Sequence, residues 1–78
     1  MNLNITTKFN VGDKVYVADA YYENWHPDKT PHRISEVIIK IFDKVRISYR
    51  IDRYTYEEST CFSSYEECAE WCQSKNTK

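Results

Sequence analysis

Between Val37 and Ile51 the chain reads VIIKIFDKVRISYRI, two runs rich in β-branched residues joined by a short polar connection. Val45, Ile47, Tyr49 and Ile51 alternate with Arg46, Ser48, Arg50 and Asp52, the period of two that marks a strand with one buried face. The pattern predicts a β-hairpin. Parity then selects its register, because directly opposed residues of an antiparallel pair point to the same face. A turn of only Asp43 and Lys44 sets Lys40 opposite Ile47 and puts a lysine in the core row. An odd connection through Phe42, Asp43 and Lys44 matches Ile41 with Val45, Ile39 with Ile47 and Val37 with Tyr49. It leaves Glu36, Lys40, Arg46 and Arg50 outside, and this is the register expected. With no glycine there, Asp43 or Lys44 has to take a left-handed conformation, or a bulge replaces it.

Upstream, FNVGDKVYV (Phe9 to Val17) places apolar residues at alternate positions on either side of a Gly-Asp turn and predicts a first strand through Val15 and Val17. Gly12 is the chain's one glycine, so it is expected to hold a backbone conformation that a Cβ would penalise. Residues 1–7 predict a loose arm or a short edge strand. After the hairpin, Tyr54 and Tyr56 are out of phase with Tyr49 and Ile51; a turn or bulge near Asp52-Arg53 resets the faces, whereas a straight strand puts both tyrosines outside. A helix from about Tyr65 to Ser74 is announced by Ser64 and Glu67 as a capping box. Tyr65, Cys68, Ala69 and Cys72 form its apolar stripe, and Trp71 falls at the stripe's edge, partly exposed.

Residues 19–33, DAYYENWHPDKTPHR, show no sustained period and hold both prolines and both histidines, which predicts a long loop. Its aromatics speak against disorder. Tyr21, Tyr22 and Trp25 are candidate partner-binding side chains, with Trp71 as a fourth. For Trp25 a second reading stands beside this one, that it plugs one end of a barrel.

The opening FNVGDKVYV and the closing CFSSYEECAEWC resemble small SH3-like β-barrel proteins of bacterial and prophage accessory open reading frames. That resemblance implies a mainly β fold: a small, curved antiparallel sheet or barrel over residues 8–62 with one C-terminal helix over 64–74; the alternative is an open α+β sheet with one helix. It also implies that the module inhibits or modulates a host protein, as phage-encoded inhibitors of bacterial defence systems do. It carries over no individual functional residue.

Length and composition narrow the chemistry. Seventy-eight residues at 41% apolar allow one small domain with a single core but no enclosed active-site cavity, so no catalytic residue is expected. A formal charge of −1 supplies no overall basic field to drive non-specific nucleic-acid binding. A local basic face is available from Lys40, Arg46 and Arg50 with Lys44 at the hairpin tip, partly neutralised by Glu36. Cys61, Cys68 and Cys72 do not have zinc-motif spacing, and an odd number of thiols, two of them one helical turn apart, predicts reduced buried cysteines. No cofactor or metal is expected. With neither a secretory leader nor a long apolar run, a soluble cytoplasmic protein is expected. The function expected is therefore a non-catalytic protein-binding module, with a nucleic-acid-binding barrel as the alternative.

Overall fold

Strand β1 (Lys14–Tyr21) is the strand that both halves of the core share. Its middle reads VYVA. Val15 and Val17 point into one apolar cluster, while Tyr16 and Ala18 face a second on the other side, so the strand is covered on both faces. The computed structural model describes residues 5–76. After β1 follow β2 (Asn24–Pro27), β3 (His32–Arg33), β4 (Glu36–Ile41), β5 (Val45–Ile51), β6 (Tyr54–Glu57), a single 3-10 turn (Glu58–Thr60), β7 (Cys61–Phe62) and α1 (Tyr65–Asn76). β1 pairs antiparallel with β2, β3 and β7, and a second antiparallel sheet runs β4-β5-β6. The protein is mainly β with one C-terminal helix, as the sequence predicts, but the two sheets do not close into a barrel.

The first cluster lies between the sheets, where Phe9, Val15, Val17, Ile34 and Cys61 meet Tyr49 and Ile51. Tyr49 is its centre. Its ring meets Phe9 edge-on at 5.7 Å, its hydroxyl accepts the Phe9 N–H at 3.1 Å and donates to Glu58. Burial, then donation to that carboxylate, push the phenol up to about 12. The second cluster joins Ala18 and Phe62 of the first sheet to Cys68 and Cys72 of α1. The helix stripe is the expected one, and Trp71 sits half-exposed at its edge. Ser64 caps the helix through its Oγ and the Glu67 N–H at 3.2 Å; the Glu67 carboxylate accepts the Ser63 hydroxyl rather than closing the box. The helix runs on to Asn76, two residues past the predicted end.

The β4-β5 register is the odd one: Ile41 faces Val45, Ile39 faces Ile47, Val37 faces Tyr49 and Glu36 faces Arg50. The expectation that this row is buried throughout needs correction. The opposing sheet covers only its proximal half, so Tyr49 is fully buried while Ile39, Ile41 and Val45 are 42%, 50% and 39% exposed and Phe42 at the tip 81%. Asp52, at φ +56°, makes the turn that resets the faces: Tyr54 and Tyr56 align with Ile51 and Tyr49, Tyr56 reaching the core rim and Tyr54 staying exposed. Gly12 has φ +92°, as its uniqueness predicts. Of the N-terminal arm, residues 1–4 lie outside the described residues, and residues 5–7 form no strand.

Candidate functional site

The segment read as a loop over 19–33 is a β-hairpin up to Pro27, and of the rest residues 28–31 form no strand and β3 returns to pair with β1. β1 continues to Tyr21, and β2 pairs back on it with Tyr21 opposite Asn24 and Ala20 opposite Trp25. The two-residue turn is Tyr22-Glu23, with φ of 54° and 64°, a left-handed pair of the kind that twists with the flanking strands. Such turns usually take asparagine, aspartate or glycine, and a bulky residue there stores strain of order 1–3 kcal/mol, which is why the sequence gives no turn signal. The strain is held by long-range contacts. Asn76 at the end of α1 accepts the Trp25 N–H at 2.8 Å and returns its own Nδ2–H to the Trp25 carbonyl at 2.9 Å.

Strand parity then divides the aromatics. Tyr21 and His26 share one face, and their rings stack at 3.9 Å and 14°. Tyr22 meets Tyr21 edge-on at 5.9 Å and is 89% exposed, with Tyr21 at 52%. Trp25 points to the opposite face and meets Trp71 edge-on at 4.8 Å; Trp71 also packs against Phe62, and Lys75 lies over its ring. The four predicted partner-binding residues therefore form two groups. Tyr21 and Tyr22 make an outward tip, whereas Trp25 and Trp71, both partly exposed, pack against each other where α1 meets β2; with no closed barrel, Trp25 plugs no barrel end.

The basic residues are brought together but not alone. Lys40 and Arg46 are directly opposed, and Arg50 Nε holds Glu36 at 3.0 Å. Glu57 faces Ser48 and so shares this face of the sheet. Lys44 stands exposed in the connection at the tip. The result is a mixed-charge surface.

One arrangement has no sequence signal. Asp28 Oδ2 meets His32 Nε2 at 2.9 Å, and its Oδ1 accepts the Thr30 N–H at 2.9 Å, beside a shallow cleft that Asp19, Asp52, Tyr54 and Tyr56 also line. Partial burial pushes the Asp28 carboxyl upward, but the hydrogen bonds from His32 and Thr30 outweigh it and the group ends below the usual carboxylate range. Tyr56, pushed up to about 12 by burial and the Asp19 carboxylate, stays a neutral donor there. No group of three or more His, Cys, Asp or Glu among the described residues is placed to hold a metal ion. Burial raises the Cys61 and Cys68 thiols to about 12 and raises Cys72, so none is a ready nucleophile at neutral pH. No helix among the described residues is long and apolar enough to cross a membrane.

In comparisons with known proteins, no family model, no curated protein and no solved structure matches the chain.

Proposed function

We propose that this chain is a non-catalytic protein-interaction module that docks through the β1-β2 tip. The observation that carries the reading is Tyr22, nearly fully exposed on a left-handed backbone beside a Tyr21 ring already stacked on His26. The Tyr21 ring, already stacked on His26, loses less rotamer freedom when a partner covers it than an unstacked ring would, and the exposed Tyr22 beside it adds contact area. The resemblance of the chain's two ends to prophage accessory proteins narrows the proposal to a phage- or mobile-element-encoded modulator or inhibitor of a host defence protein, acting in the cytoplasm. The nucleic-acid alternative has less support, because Glu36 and Glu57 share the face of Lys40, Arg46 and Arg50.

The test is affinity capture from a bacterial lysate with the parent chain and with the Tyr21→Ala, Tyr22→Ala double variant. Alanine keeps the Cβ at position 22, so the backbone strain is the same in both. The double variant is expected to melt close to the parent and to bind the captured protein about 30-fold more weakly, the equivalent of roughly 2 kcal/mol. A folded double variant with undiminished binding would move the site elsewhere. Salt-sensitive gel shifts with DNA or RNA, lost on changing Lys40, Arg46 and Arg50 to glutamate, would replace the reading with the alternative.

A further inference from the structure

Among the described residues strand β4 pairs only with β5, and none of them pairs with its other edge. Which backbone groups it presents follows from its neighbours. The Phe42 N–H bonds the Lys44 carbonyl and the Ser35 N–H bonds the Arg50 carbonyl. In β5 the turn closed by Ile51 and Tyr54 directs the odd residues to β6, leaving the even ones for β4. Glu36, Ile38 and Lys40 therefore bond inward to β5, and Val37, Ile39 and Ile41 point their N–H and C=O groups outward. A row of unpaired backbone donors and acceptors is a template for another strand.

The side chains say which strand fits. With Ile38 on a two-fold axis, an antiparallel copy of β4 sets Glu36 opposite Lys40 of the second copy, and Lys40 opposite its Glu36. Val37 and Ile39 then form the hydrogen-bonded pairs, which matches the groups the edge presents. In this register the charged residues occupy non-hydrogen-bonded pairs, where opposed side chains are closest. A shift of two residues in either direction destroys the match: with Ile39 on the axis Lys40 faces Ile38, and with Val37 on the axis Glu36 also faces Ile38. A further shift puts Lys40 against itself. The monomer leaves Lys40 directly opposite Arg46, a like-charge pair that a second carboxylate relieves, and Glu36 uses Oε1 for Arg50, leaving Oε2 to accept. The same pairing brings a second apolar row beside Ile39 and Ile41, which are 42% and 50% exposed. A lone edge lysine discourages foreign strands; with glutamate four residues earlier it becomes a mark of self.

We infer that this protein associates with a second copy of itself through antiparallel pairing of the two β4 edges about Ile38, making one six-stranded sheet. The docking role of Tyr21 and Tyr22 stands or falls independently of it.

Sedimentation equilibrium across the micromolar to high-micromolar range tests it, with Glu36→Lys, Lys40→Glu and the double exchange. The parent is expected to dimerise. Each single variant puts two like-charge pairs across the interface and is expected to weaken the dimer about tenfold or more. The double exchange is expected to restore it, as is an equal mixture of the two single variants, whose charges complement each other. A parent monomeric throughout, or single variants that dimerise as well as the parent, would overturn the inference. So would a mixture of folded single variants, checked by circular dichroism, that stays monomeric.

Discussion

Replacing Tyr49 with phenylalanine removes one oxygen atom and should cost this domain a large share of its stability. The hydroxyl ties together three segments distant in sequence: it accepts the Phe9 N–H, belongs to β5, and donates to Glu58 in the 3-10 turn, whose carboxylate also accepts the Lys8 N–H at 2.9 Å. Phenylalanine fills nearly the same volume, so no cavity term enters. Losing a hydrogen bond to a charged acceptor costs about 1.5–3 kcal/mol, and a buried N–H left without a partner costs about 1–3. The two losses overlap at one atom, and about 3 kcal/mol is expected in total, which for a chain of this length lowers Tm by roughly 12–24 °C. Thermal and urea denaturation followed by circular dichroism measure it. The amide of Phe9 should lose its hydrogen-exchange protection at the same time. Glu58→Gln is the control: it keeps an acceptor for both donors and is expected to cost about 1 kcal/mol or less. A Tyr49→Phe variant melting within a few degrees of the parent would refute the account of the hydroxyl as the tie between the N-terminal segment and the sheet.

Stability should fall steadily in alkali. Cys61 and Cys68 have pKa values raised from 9.0 to about 12, and Tyr49 and Tyr56 from 10.0 to about 12. Their contribution is complete below pH 9, where both states keep these protons, and is lost as pH climbs toward about 12, because the unfolded chain gives them up first; urea midpoints from pH 7 to 11 that stay level would contradict this. Cys68→Asp buries an unpaired carboxylate at the helix–sheet contact and is expected to cost several kcal/mol, enough to prevent folding in so small a domain, while a variant with the parent's melting curve would mean the wrong helix face. Tyr22→Asn with Glu23→Gly supplies residues suited to the left-handed turn and should raise Tm by several degrees, about 1 kcal/mol of relieved strain, while abolishing docking at the tip. Gly12→Ala should cost about 1 kcal/mol from backbone strain alone, since a Cβ there would meet nothing within 4 Å; a loss several times larger in thermal melts would point to an unseen clash.

The amino-acid sequence by itself determined what depends on neighbours along the chain or on parity. The β4-β5 register followed from keeping Lys40 out of the apolar row, the helix start from Ser64, its buried stripe from 100° spacing, and the φ of Gly12 from its being the one residue without a Cβ. Tertiary structure decided how far each pattern is used. Alternation made Ile39, Ile41 and Val45 candidates for burial, but burial needs a covering surface, and the opposing sheet reaches only as far as Val37 and Ile47. The β1-β2 hairpin was illegible because its turn contradicts local preference. Tyr22 and Glu23 are left-handed because Trp25 is held by Asn76, 51 residues away, and packed on Trp71, contacts that outweigh the strain and leave no trace in local sequence. For the same reason Asp28 and His32 looked like loop polar residues until the fold set them beside Tyr56 and Asp19. Parity is a property of the strand, and coverage is a property of what folds against it.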